Sequence, residues 1–179
     1  MFYRLRFLIV LSLTQFIVGC EIDQVRHELS GSTMGTAWNL FYYAPSGDSS
    51  FDPEVVRLKI ENRLLYLNDI LSNYVHDSEI SRLNALPSGK YTSISPELIE
   101  VFKVAQRISK LSNGIYDISI SPLVELWGFG LSLPRVDIPS IEEISANRLQ
   151  VGLDAIIIDE ENKTILKSSA RSFDLSSLG

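Results

Sequence analysis

The chain has a single cysteine, Cys20, so no disulfide can form within it and its fold must be held by an apolar core. The position of that cysteine is as informative as its number. Arg4 and Arg6 form a short basic segment, Phe7 to Leu13 an apolar stretch, and Phe16, Ile17 and Val18 lead to the small residue Gly19 directly before Cys20. That order is an export signal. The apolar run is interrupted at Ser12, Thr14 and Gln15 and is too short to cross a hydrocarbon core, which needs about 20 apolar residues. The expected organisation is a signal peptide over residues 1–19, a lipidated N-terminus and tether over 20–30, and a folded domain over 31–179. Ile17-Val18-Gly19-Cys20 has the form of a lipobox, in which the Cys20 thiol is diacylated. Each buried methylene contributes roughly 0.8 kcal/mol, so several acyl chains hold a protein on a bilayer. The plain alternative is an ordinary cysteine near a cleavage site. The expected location is a membrane-anchored lipoprotein, on the inner membrane and facing the periplasm.

Loss of the signal leaves about 160 residues, enough for one domain or part of a larger one. Arg4 and Arg6 are the only charges in the signal, so the remainder is more acidic than the whole chain, whose net charge is −6. That balance argues against nucleic acid or an anionic membrane surface as the main partner.

Beyond a polar stretch at Glu21 to Glu28, the pattern is mixed α and β. Trp38 to Tyr43, after a Gly-rich turn at Gly31 to Gly35, suits a strand. Asp52-Pro53 and Ser95-Pro96 each pair an N-cap residue with proline at the first helical position. Val56, Ile60, Leu64, Leu67 and Leu71 give the first helix an apolar stripe; Leu98, Val101, Phe102, Ala105, Ile108 and Leu111 give the second one. Asn113-Gly114 is a stop signal. Asp77-Ser78-Glu79 can cap a short turn through Leu83, and Ser140-Ile141-Glu142-Glu143 is a capping box for a helix over Ile141 to Leu149. Strands are expected at Ala155 to Ile158 and Thr164 to Leu166, with a third at Ser172 to Leu175. The last residues read as a strand running into a helix, which suggests an unfinished element and a truncated product.

Four segments carry possible chemistry. Gly31-Ser32-Thr33-Met34-Gly35-Thr36 offers free N–H groups to a phosphate, or is a plain turn. Leu71 to Asn84 is dense in donors and acceptors, as a loop facing a polar ligand would be. Within it His76 is a candidate base but more simply a solvated side chain, Arg82 an ion-pair partner for Asp77 or Glu79, and Tyr74 a stacking surface or a core cover. Gly114 to Gly130 opens a helix at Ser121-Pro122 and closes it with Trp127 and Phe129 held between glycines; core packing is the default for those aromatics, a cofactor pocket the alternative. Asp174-Leu175-Ser176-Ser177 sits where a helix N-terminus would suit an anion or a phosphate-bound cation. No zinc pattern, nucleophile elbow, Walker loop or dinucleotide fingerprint is present. The residues by themselves lead to an exported α/β domain with a phosphorylated ligand.

Taken in order, the four segments resemble one family, the FAD:protein FMN transferases, or ApbE lipoproteins. The matching positions are Gly31-Ser32-Thr33-Met34-Gly35-Thr36, Leu71-Ser72-x-Tyr74 with Asp77-Ser78-Glu79 and Arg82-x-Asn84, Ser121-Pro122-Leu123-Val124-x-Leu126-Trp127-Gly128-Phe129-Gly130, and Asp174-Leu175-Ser176-Ser177. The lipobox matches as well. The resemblance covers the chain after its signal, which corresponds to little more than the first half of a family member.

The resemblance implies an α+β fold of the flavin transferase, T-fold-like type, incomplete at its C-terminus. It implies Mg²⁺-dependent transfer of FMN from FAD to a threonine or serine hydroxyl of an acceptor flavoprotein, with release of AMP. The acceptor would be a subunit of a sodium-pumping quinone reductase or an electron-transfer complex. By position, Met34, Tyr74, Ile115, Tyr116, Asp117 and Asp174 would contact FAD, and Ser177 would offer a main-chain carbonyl to Mg²⁺. Ser121 departs from the family's usual glycine. The family's proposed histidine base and remaining Mg²⁺ ligands are expected beyond residue 179, so the chain alone is expected to lack transferase activity. The alternatives are a non-catalytic flavin-binding lipoprotein, an FAD pyrophosphatase, and a solute-binding or structural lipoprotein.

Overall fold

The computed structural model describes residues 23–131 and 134–178. The segment expected to be a signal peptide, and Cys20, lie outside the described residues. The described residues divide into two compact units, one comprising residues 23–31 with Trp38–Lys59, the other Ser32–Ala37 with the described residues from Ile60 onward.

The first unit is built on an antiparallel pair, β1 (Gln24–Thr33) and β2 (Thr36–Pro45). Residues from Gln24 onward, read from their polarity as tether, are strand, because alternation sets Leu29 into the interior while Glu28 and Ser30 face out. The inward set continues with Ala44. His27 stacks on Tyr42 at 4.9 Å between ring centroids, and the Tyr42 hydroxyl donates to the Phe51 carbonyl at 2.9 Å. Gly31 is required by packing, since a Cβ there would meet the Trp38 indole at 2.7 Å. The expected Gly-rich turn shrinks to Met34-Gly35, because Gly31 to Thr33 pair as strand. Both turn residues have positive φ, 49° and 76°, as a two-residue hairpin turn needs to match strand twist.

α1 (Pro53–Leu71) starts where Asp52 Oδ1 accepts the Glu54 N–H at 2.9 Å. Its expected stripe is half-buried throughout, and only Ile70 is fully enclosed.

In the second unit, α2 (Glu79–Ala85) is capped by Ser78, whose buried hydroxyl accepts the Ser81 N–H. α3 (Pro96–Leu111) is capped by Ser95. The two starts are tied together, since Glu79 Oε1 accepts the Ser95 N–H at 2.6 Å. α3 buries Leu98, Ile99, Phe102 and Ala105, and Leu111, assigned to the stripe, is exposed where the helix ends. The stop at Asn113-Gly114 forms as expected, both residues at positive φ and the Gly114 N–H bonded back to Ser109. α4 (Ser121–Leu126) and α5 (Ile141–Arg148) follow, the latter with both halves of its capping box made.

A three-stranded antiparallel sheet runs β3 (Tyr91–Ser93), β5 (Thr164–Lys167), β4 (Ile156–Asp159). β3 was not expected; three residues carry too little pattern, and it exists by pairing Thr92 with Ile165. The core gathers α2, α3 and the sheet around Phe102, which meets Phe173 edge-on at 4.8 Å. Burying one such ring contributes roughly 1.5–3 kcal/mol. The fold is α+β. Among the described residues no helix is long and apolar enough to cross a membrane.

Candidate functional site

The segment Ser172–Leu175, expected as a strand, belongs to neither sheet. Its hydrogen bonds go to two side chains. Asn84 accepts the Phe173 N–H at 2.8 Å and donates to the Phe173 carbonyl at 2.9 Å. Asn73 donates to that carbonyl at 2.7 Å and accepts the Leu175 N–H at 2.8 Å. The polar side chains that suggested a ligand-facing loop are therefore partly spent on the protein's own backbone. Sequence alone gave no sign of this, because the partner lies a hundred residues away.

The clamped segment forms a wall of two cavities. One, of about 250 Å³, is lined by Met34, Thr36, Leu71, Tyr74, Leu175 and Ser176 among others. The second, of about 230 Å³, is lined by Tyr74, Ser121, Glu125, Phe129 and Asp174 among others. Asn73 and Tyr74 line both. The first sets Met34, Leu71 and Leu175 beside Tyr74 and small polar side chains; the second sets Tyr74, Phe129 and Leu131 beside the carboxylates of Glu125 and Asp174.

Met34 and Tyr74 thus meet in one cavity, Tyr74 and Asp174 in the other. Tyr74 is 74% exposed, so it does not cover core. Asp174 uses one carboxylate oxygen to accept from the N–H and hydroxyl of Ser176. The Tyr116 hydroxyl lies 3.4 Å from Ser177 Oγ, while the Tyr116 ring packs on the core. Asp117 lines neither cavity; its carboxylate caps a short helical turn by accepting the N–H and hydroxyl of Ser119 at 2.8 and 2.6 Å. Ile115, 89% exposed, also lines neither.

Other expectations change here. Among the described residues Arg82 makes no ion pair with Asp77 or Glu79; it donates to the Asp77 carbonyl at 2.8 Å, while the Glu79 carboxylate accepts from Ser95. His76, with its side chain 98% exposed, bonds only the neighbouring Asp77 and lines neither cavity. Trp127 and Phe129 are exposed rather than core. Their glycines explain the placement. Gly128 has φ +76° and a Cβ there would lie 2.5 Å from the Arg135 nitrogen, while a Cβ on Gly130 would strike the Glu125 carboxylate at 2.2 Å. That carboxylate accepts the Leu131 N–H at 2.7 Å. A positive-φ turn packed on the Arg135 main chain at Gly128, and a close approach of the Glu125 side chain at Gly130, flank Phe129 at the cavity. Ser121 has ordinary right-handed helical backbone angles, so it needs no glycine.

Among the described residues no three His, Cys, Asp or Glu side chains cluster as a metal site. The arrangement offers an exposed aromatic ring between two cavities, with hydroxyls and the carboxylates of Glu125 and Asp174 lining the second.

Comparison with known proteins gives a family. The ApbE family matches residues 34–179. The FAD:protein FMN transferase of Vibrio cholerae is 34% identical over 172 residues, covering 96% of this chain and 50% of the relative. That of Escherichia coli K12 is 30% identical over 181 residues, covering 95% and 51%. Among solved structures, Pseudomonas stutzeri flavinyl transferase ApbE in its apo form aligns with a TM-score of 0.80 at 32% identity, over 87% of this chain and 51% of that one. Flavin transferase ApbE from Vibrio cholerae aligns at 0.78 and 34%, over 86% and 49%. The chain spans about half the length of the curated relatives it matches.

Proposed function

The chain belongs to the ApbE family, and on that premise we propose that it is the flavin-binding portion of an FAD:protein FMN transferase. The observation that carries this reading is Tyr74, an exposed ring shared by two adjoining cavities, of which only the second is lined by carboxylates. A dinucleotide has two unlike halves, and an exposed aromatic between them supplies a stacking surface worth about 1–3 kcal/mol per base. Met34 would close one cavity and Phe129 the other.

In the proposed reaction, the hydroxyl oxygen of an acceptor threonine or serine forms a bond to the phosphorus of the FMN half. The pyrophosphate bond breaks, AMP leaves with its electrons, and the hydroxyl proton passes to a base. This chain's residues bind and orient the substrate. Mg²⁺ would supply charge at the phosphates, and Ser177 is the position assigned to it by resemblance. The described side chains do not by themselves build a metal site, and the chain alone is expected not to transfer FMN. The acceptor would be a flavoprotein facing the periplasm, reached from a lipid anchor at Cys20.

The test is flavin fluorescence, with and without Mg²⁺, on the full chain and on its fusion to the second half of the Vibrio cholerae relative. Covalent FMN on an acceptor threonine is read by mass. Binding by the fusion, transfer by it, and roughly ten- to hundredfold weaker binding in Tyr74→Ala would support the reading. Binding without transfer would point to a flavin-binding lipoprotein, hydrolysis without acceptor to an FAD pyrophosphatase, and no binding by either protein would sink the flavin assignment.

A further inference from the structure

Lys167, at the end of β5, is 4% exposed, and its ammonium meets no carboxylate at salt-bridge distance among the described residues. Nζ donates to the carbonyls of Leu83 and Leu86 at 2.7 Å each and lies 3.3 Å from that of Asn84. Those are the carbonyls at and just beyond the C-terminus of α2, where, among the described residues, only that of Leu83 also accepts a main-chain N–H, from Leu86, and where a cation is favoured by the helix dipole. Burial pushes the Lys167 pKa down from its ordinary value, so enclosing the charge there costs stability. A seven-residue helix hardly needs a buried ammonium to end it, and an apolar contact with water-bonded carbonyls would serve.

The residue under that ammonium is Asn84. Its side chain holds both the N–H and the carbonyl of Phe173, next to Asp174 at the second cavity. We propose that Lys167 is a positioning residue for the flavin site: it fixes the last turn of α2 so that Asn84 holds the Phe173–Ser177 segment against the cavities. The proposal rests on the flavin reading for its ligand but not for its geometry. Lys167 touches neither cavity, so its effect on binding passes through Asn84.

Amide hydrogen exchange on the full chain, without flavin, reads the geometry directly. Lys167→Met removes the donors at similar volume. Protection of the Phe173 amide is expected to fall about tenfold, the equivalent of one hydrogen bond, while the Phe102 amide in α3 keeps its protection. An unchanged Phe173 amide, or equal losses at Phe173 and Phe102, would overturn the proposal. If the variant does not fold, wild-type exchange in rising urea decides the matter: Leu86, bonded to Leu83, and Phe173 are expected to open at one free energy and slope, and separate openings would overturn it. In the fusion, Lys167→Met is expected to weaken FAD binding by about ten- to a hundredfold, as small misplacements do, with no further loss in Lys167→Met/Asn84→Ala beyond Asn84→Ala alone. Additive losses would mean that Lys167 acts elsewhere. A wild-type fusion that binds no FAD would reject the flavin reading, and the exchange result would still stand.

Discussion

Asn73 and Asn84 converge on one carbonyl. Both side-chain amides donate to Phe173 O, at 2.7 and 2.9 Å, and each uses its own oxygen to accept a main-chain N–H on the same segment. Two side chains thereby do for residues 173–175 what a neighbouring strand does elsewhere.

Replacing either amide leaves a main-chain N–H of a buried residue, Phe173 or Leu175, without a partner. Asn84→Ala and Asn73→Ala are each expected to cost about 1–3 kcal/mol, read as a lower urea midpoint at unchanged slope. Asn84→Asp is expected to cost more than Asn84→Ala, because a carboxylate cannot donate to the Phe173 carbonyl and faces it instead.

Met34 sits at φ 49°, a left-handed conformation that costs a side chain with Cβ about 1–2 kcal/mol. Met34→Asn suits the turn better and is expected to raise Tm. It also removes a thioether from the first cavity, so FAD binding in the fusion is expected to weaken. A variant that gained both stability and affinity would show that the methionine has no ligand role.

Gly128 and Gly130 differ in what a Cβ would strike. At Gly128 it meets the Arg135 main chain from a positive-φ position, at Gly130 the end of the Glu125 side chain. Gly128→Ala is expected to destabilise by more than about 2 kcal/mol, and Gly130→Ala by less, since a carboxylate can move. Thermal melts of the two variants give the order.

Glu143 completes its capping box with the Ser140 N–H at 2.7 Å and meets Arg135 at 3.1 Å. The Arg135 hydrogen bond, then the Ser140 N–H, hold its carboxyl below the ordinary value of 4.5. A carboxyl lowered on folding adds stability above its unfolded pKa, and that contribution is lost as pH falls through the folded one. Urea midpoints should therefore drop on acidification below 4.5, and Glu143→Gln should show a shallower drop. Equal acid slopes would show that the pair does not contribute.

What the sequence revealed was local. α1, α3 and α5 start where Asp52-Pro53, Ser95-Pro96 and the Ser140 box lie, because a cap and its helix are within four residues of each other. β3 was illegible since its partner is in β5, and Ser172–Leu175 was misread because the sequence pattern looks alike whether strands or asparagines bond the segment. At the site, Met34, Tyr74 and Asp174 reach cavity walls, while Asp117 is spent on a cap and Ile115 stands apart. Lys167 left no trace in the pattern, since a lysine at the end of a strand ordinarily reaches water.

The asparagine clamp also sets an order of assembly. Its bonds close loops of 89 to 102 residues, whereas the ties that start α2 and α3 span no more than 16. Long loops close late, so the helices can form while the chain is still emerging, and the cavities cannot. A chain emerging from its N-terminus would carry neither cavity until residues 173–175 had appeared, so the walls that would face a ligand are the last part of the fold to close.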